Sequence, residues 1–201
     1  MMGIYTIQSF LQYFLQDVVK HFYLFNIKVA ANAESAVSLF VVPLLIGGTA
    51  STLVAGIASD KMGKRKPLMY AAIVICLCVA VDFWLATRVS FMSNFNLIMC
   101  CALLFGIGFG MYNSLNWAID TDVLPNKKDK EVQQGESFGK DMAIWSASIV
   151  LPQVVATPVA GFILDWCNAK LRFNYGYTII FSMSIGNLIL SLIAFAFVKI
   201  K

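Results

Sequence analysis

An all-α bundle of about six membrane-spanning helices is the fold class this sequence predicts, and three observations lead there. The 201 residues are 59% hydrophobic and 13% charged, against roughly 45 to 50% and 25% in soluble domains. Mean hydropathy is +0.75. Apolar runs of about 20 residues recur along the chain, the length needed to cross a hydrocarbon core about 30 Å thick. A water-soluble fold could not hide that much apolar surface, so length counts helices here rather than soluble cores. One transmembrane domain spanning 1–201 is expected.

The first helix is expected over about 1–25. Gln8, Gln12 and Gln16 make it too polar for a signal-peptide core, and no basic segment precedes it, so it is retained. It begins almost at Met1 with no cytoplasmic lead-in, from which sequence upstream is expected to be missing. The next five helices are expected over about 35–58, 67–87, 95–119, 143–164 and 177–198, with a polar connector over 120–140. That connector mixes Lys, Asp, Glu and Gln and reads as a solvated loop carrying no attached enzyme or nucleotide domain.

Basic residues set the orientation. Lys61, Lys64, Arg65 and Lys66 follow the second helix, Lys127, Lys128, Lys130 and Lys140 follow the fourth, and Lys199 and Lys201 end the chain. Lys20, Lys28, Arg88, Lys170 and Arg172 fall on the other side. The positive-inside rule therefore places both termini in the cytoplasm. The net charge of +4 lies in short loops between apolar runs, which is a topology signal and leaves no basic face for nucleic acid.

Catalytic chemistry has little to draw on. His21 is the only histidine, and Cys76, Cys78, Cys100, Cys101 and Cys167 lack metal-site spacing; they read as small helix-packing residues. No enzyme activity, cofactor or metal is expected. The run Gly106-Ile107-Gly108-Phe109-Gly110 lies inside an apolar helix, not between a strand and a helix, so phosphate binding is excluded. Gly106 and Gly110 instead form a packing face of the small-xxx-small type.

A short internal repeat supports an inverted arrangement. Ala55-Gly56 with Asp60 closes the second helix, and Ala160-Gly161 with Asp165 closes the fifth. Equivalent helices of two three-helix units, separated by an odd number of crossings, lie in opposite directions, which is the inverted 3+3 repeat of secondary transporters.

The segment from Gly56 to Pro67 fits G-x-x-x-D-[RK]-x-G-[RK]-[RK] without a gap, at Gly56, Asp60, Lys61, Gly63, Lys64 and Arg65. At these residues the chain resembles the major facilitator superfamily. Gly56 would allow close helix approach, Gly63 a tight turn, and Asp60 a contact with a helix N-terminus or a loop cation, together biasing cytoplasmic closure. A second resemblance joins the glycine run to Asn116-Trp117-Ala118-Ile119-Asp120-Thr121-Asp122 and to Gly139-Lys140-Asp141 before a Pro-bearing helix. It is similar to the last six helices of the sucrose-proton and glycoside-pentoside-hexuronide symporters. That resemblance implies a half transporter working by alternating access on a sugar-like solute with a proton or sodium ion. Its partners would be the bilayer, the solute, and a second six-helix half or a second copy. The other class of reading is a non-transporting or partner-dependent membrane subunit.

Candidate site residues follow. Tyr5, Gln8, Ser9, Gln12 and Gln16 fall along one side of the first helix, and Asn113, Asn116, Trp117 and Asp120 along one face of the fourth. In the resembled family these two helices line the cavity. Amides and an aromatic ring suit a sugar, although interhelical hydrogen bonding accounts equally well for any single residue. Asp82 reads as the one acid well within an apolar run and is a coupling candidate, placed near the non-cytoplasmic interface by Phe83, Trp84 and Arg88. Asp120 and Asp122 are further coupling candidates, or contacts for Lys140. Pro43, Pro152 and Pro158 interrupt helices and predict bends suited to rocking.

Overall fold

The computed structural model describes residues 2–25, 27–63, 65–89, 94–123, 134–170 and 175–197, with side chains for all of these except 120–123, 134–138, 141 and 168. The chain forms α1 (Met2–Phe14), a π-helical turn (Leu15–Val19), a two-stranded hairpin of β1 (Tyr23–Leu24) and β2 (Ile27–Lys28), and then α2 (Ala33–Met62), α3 (Lys66–Ala86), α4 (Phe95–Val123), α5 (Gln134–Lys170) and α6 (Tyr175–Phe197). The all-α membrane bundle expected from composition is what the structure contains. Among the described residues, α2 through α6 supply five helices long and apolar enough to cross a membrane.

The first helix departs from the expected 1–25. It widens into the π turn at Leu15 and ends at Val19, where Lys20 adopts φ 58° and its N–H donates to the Leu15 carbonyl at 3.1 Å. Lys20 and His21 interrupt the apolar run. The aromatic and β-branched residues that follow favour an extended pair, Tyr23 opposite Lys28 and Leu24 opposite Ile27. Phe22 anchors this hairpin against Phe95 at 5.5 Å, and the Phe25 N–H donates to Asn96 Oδ1 at 3.2 Å.

Other helices run past their apolar windows. α2 is 30 residues and α5 is 37, or about 45 and 55 Å at the standard rise. The expected 120–140 connector is thus partly helical, since α4 continues to Val123 and α5 starts at Gln134. Hydropathy stops at the first charges, whereas Gln, Glu and Lys are good helix formers outside the lipid. Pro43, Pro152 and Pro158 all lie within continuous helices. α2 closes with Gly63 in the left-handed region, φ 57°, its N–H donating to the Ser59 carbonyl at 3.0 Å.

The helices pack in two related sets. α4 lies against α2 and α3, α1 lies against α5 and α6, and α3 and α6 pack on each other. Exchanging the first three helices for the last three carries each of these contacts into another of the set, whereas the contact of α5 with α6 has no counterpart of similar extent between α2 and α3. At one end of the bundle an aromatic cluster joins the two sets. The buried Phe14 ring meets Phe83, Tyr177 and Phe181 edge-on at 5.7, 6.0 and 5.3 Å, and Phe83 reaches Phe40 at 6.3 Å.

The closest approach is between α2 and α4. A Cβ on Gly47 would stand 2.6 Å from the Leu103 carbonyl oxygen, one on Gly106 would run into the Leu44 backbone, and one on Gly110 would run into the Gly48 carbonyl and Ser51. Gly108 points the other way, where a Cβ would meet Cys76 Sγ of α3 at 2.8 Å. Small residues thus let α4 approach two neighbours at once. Across the seam Thr52 Oγ1 lies 3.2 Å from the Gly110 carbonyl oxygen, and Ser114 Oγ donates to the Thr52 carbonyl at 3.4 Å.

Gly110→Leu should separate α2 from α4 and destabilise the bundle by about 1–3 kcal/mol or more, read as a lower melting temperature and loss of the monodisperse peak in detergent. Gly186→Ala, where a Cβ meets nothing within 4 Å, should leave both unchanged.

Candidate functional site

The polar residues of α1 do not all face one space. Tyr5 turns toward α4, its ring edge-on to Phe109 at 6.5 Å. Ser9 shares a hydrogen bond of 3.1 Å with Thr157 of α5, an interhelical role. Gln8 is half-buried, while Gln12 and Gln16 are exposed on a recess of about 390 Å³ that they line with Lys20, Phe22, Asn32 and Glu34. The recess lies where the π turn approaches the beginning of α2.

The residues expected on α4 sit elsewhere. Asn113 borders a more apolar recess of about 500 Å³ between α2 and α4, beside Gly48, Thr49, Thr52 and Phe109. Asn116 is buried, 9% exposed, whereas Trp117 is 51% exposed. Of the six residues expected in one cavity, Gln12 and Gln16 line one recess and Asn113 lines another, and Gln8, Asn116 and Trp117 line neither. The physical reason is that α1 is seated among α5 and α6 while α4 is seated among α2 and α3, so their polar faces open onto different grooves.

The basic segment after α2 forms a structural clasp. Gly56 is half-buried, its missing Cβ 3.9 Å from Ser114 Oγ, so this glycine sits beside α4 without the forced closeness of Gly106 or Gly110. Asp60 and Lys61 are exposed at the end of α2, and Gly63 makes the turn. Arg65 Nη1 donates to the Ala118 carbonyl, fastening the α2–α3 turn beside the last part of α4. Lys64 lies outside the described residues.

Of the acids, Asp82 accepts a long hydrogen bond from Cys101 Sγ at 3.8 Å and borders a recess of about 260 Å³ with Phe83, Leu97 and Leu104. This recess belongs to the α3–α4 groove and is separate from the one holding Gln12. Asp120 and Asp122 fall in the last turns of α4, and their side chains lie outside the described residues.

Asp82 is not, however, the one acid within an apolar run. Asp17, in the π turn, is half-buried and its Oδ2 accepts the Tyr177 hydroxyl of α6 at 2.5 Å. The signal was present, a carboxylate between Gln16 and Val18 inside the first apolar stretch, but the neighbouring glutamines masked it as part of a polar stripe. Lys20, Asn32 and Glu34 were also missed, since only the turn between α1 and α2 brings them to Gln12 and Gln16.

A helical bundle with five membrane-length spans, glycine-tight seams and polar recesses between helices defines an integral multi-pass membrane protein of transporter type. The sugar (and other) transporter family model matches residues 4–116, more than half of the chain and all of the sequence from α1 to Asn116, and the chain belongs to that family. No curated protein and no solved structure matches it.

Removing the clasp should loosen one end of the bundle. With Arg65→Ala, amide exchange around Ala118 to Ile119 should accelerate about tenfold, the loss of one charge-assisted hydrogen bond worth about 1.5 kcal/mol, measured by hydrogen–deuterium exchange mass spectrometry.

Proposed function

We propose that this chain is a six-helix half of a major facilitator transporter that moves a small polar solute, a sugar, by alternating access with proton or cation coupling. The observation that carries the reading is the match to the sugar (and other) transporter family across α1 to α4. The exchange symmetry of the helix contacts supports it, because a rocking bundle needs two related sets of helices around a shared pair, here α3 and α6. The resemblance of Gly56 to Arg65 and of Asn116 to Asp122 to symporter motifs adds the sucrose-proton and glycoside-pentoside-hexuronide branch to the proposal, with no enzymatic step.

In this reading Gln12 and Gln16 offer amide donors and acceptors to solute hydroxyls from the α1 recess, while Asn113, Asn116 and the half-exposed Trp117 do so from α4. Gln8 continues the α1 stripe. The Arg65 clasp holds α2, α3 and α4 together at the end that the basic residues assign to the cytoplasm, with both chain termini there. Opening that end requires the clasp and its neighbours Asp60 and Lys61 to move.

A second reading, a half that works only beside another six-helix unit or a second copy, is favoured by one feature. Gln12, Gln16 and Trp117 all face open surface, and a site that buries most of a solute needs a facing wall.

Uptake of labelled sucrose and simple sugars into proteoliposomes holding the purified chain tests both. Saturable, gradient-dependent uptake supports a self-sufficient half, and none from folded protein supports the partner-dependent form. Where uptake is measurable, Gln12→Ala and Asn116→Ala should each lower kcat/KM about three- to tenfold, the range for one lost hydrogen bond of about 0.5–1.5 kcal/mol, with the detergent elution profile unchanged. Unaltered kinetics in both variants would remove these residues from the solute path.

A further inference from the structure

Five polar side chains converge on one recess with no partner for any of them. Gln12 from α1, Gln16 from the π turn, Lys20 just beyond it, and Asn32 and Glu34 at the start of α2 line the space of about 390 Å³, together with Phe22. Among the described residues no hydrogen bond or ion pair engages any of these five side chains. Asn32 is the N-cap of α2, where an asparagine side chain ordinarily accepts a backbone N–H, yet it makes no such bond. Lys20 holds φ 58°, a conformation that a lysine adopts only at an energetic cost, and such outliers persist where the surrounding structure fixes them, often at ligand sites. The hairpin supplies that fixing, since Phe22 is buried against Phe95 and the Phe25 N–H donates to Asn96 Oδ1. All five polar side chains are exposed, so a solute entering the recess meets them directly.

Lys20 and Glu34 bring opposite charges to this recess without pairing with each other. A neutral sugar would engage only the amides and leave both charges unused. Charge-assisted hydrogen bonds are about twice as strong as neutral ones, so a solute gains most here by presenting one charge to each. We propose that the recess selects a solute bearing both an acidic group and an ammonium group, an amino sugar with a carboxylate or phosphate. Lys20 takes the acid, Glu34 takes the ammonium, and Gln12, Gln16 and Asn32 meet the hydroxyls. The volume falls within the roughly 300–1,000 Å³ of small-molecule sites. Lys20 belongs to the turn after α1 and Glu34 to the first turn of α2, so a solute that bridges them also ties the end of one helix to the start of the next. This deepens the transporter reading and rests on it for the hydroxyl contacts of Gln12 and Gln16.

Isothermal titration calorimetry on the purified full chain tests it with glucose, glucosamine, glucuronate and glucosamine 6-phosphate. The last, which carries both charges, should bind with a Kd at least about tenfold below that of glucose, the gain from one charge-assisted hydrogen bond or more. The two singly charged sugars should fall between. Glu34→Gln should remove the advantage of glucosamine and spare that of glucuronate, and Lys20→Gln should do the converse. A merely structural role would weaken all four sugars alike. No binding, or equal affinity for the four in the unsubstituted chain, overturns the proposal, and that comparison decides alone where a variant does not fold. Losses in the two variants that ignore the charge of the sugar overturn it as well. Uptake of the same four sugars into proteoliposomes separates the two readings. Uptake without charge preference leaves the transporter reading standing and removes this selectivity, whereas charge-dependent binding without uptake keeps the site and counts against a self-sufficient transporter.

Discussion

Close approach of α4 to α2 and α3 is the constraint from which the rest of this bundle follows. Lipid tails are as apolar as the helix surfaces, so burying Leu or Val against another helix gains little over leaving it in lipid. What holds such helices together is contact density and hydrogen bonds across the seam. Gly47, Gly106 and Gly110 remove the side chains that would keep the backbones apart, and Thr52 and Ser114 place hydroxyls at opposing carbonyls. Gly108 does the same toward Cys76 of α3. One five-residue run on α4 therefore serves two interfaces, and the positions of α2 and α3 around it are set by backbone contact.

The opposite set of helices is built by different means. α1 is short, and only Gly3 brings it close to α6, where a Cβ would stand 2.8 Å from the Ser184 carbonyl oxygen. Further along, the contact passes to rings: Phe14 packs edge-on against Tyr177 and Phe181 of α6 and against Phe83 of α3, and Asp17 meets the Tyr177 hydroxyl at the margin of that cluster. The first set is joined by glycine, whereas the aromatic cluster links α1 to α6 and, through Phe83 and Phe40, to α3 and α2.

The recesses follow from the same geometry. Where α1 ends early, at Val19, the chain must cross to Ala33 by way of the hairpin, and the gap left beside the beginning of α2 becomes the groove holding Gln12, Gln16 and Lys20. Alongside the glycine contact of α2 and α4, the second groove opens between Gly48, Gly110 and Asn113. Neither groove is enclosed.

Composition and the spacing of apolar runs were enough by themselves to determine a helical membrane bundle, because lipid requires every backbone group to be satisfied within the span and only long apolar helices do so in this composition. The packing role of Gly106 and Gly110 was legible too, since a glycine pair four residues apart in an apolar run has one main use. The end of α1 was not fully legible: Lys20 and His21 interrupt the run but Phe22 to Phe25 resume it, and only the packing of Phe22 on Phe95 and the closure at Lys20 decide that it turns into a hairpin. The candidate cavity was read from helical spacing, which reports the face a residue lies on and says nothing of which neighbour that face meets. Tertiary structure decided that Ser9 meets Thr157, that Gln12 and Asn113 open onto different grooves, and that Asp17 rather than Asp82 reaches a buried hydroxyl. The bonded partners among these lie 148 and 160 positions apart, joined by packing that no local pattern encodes.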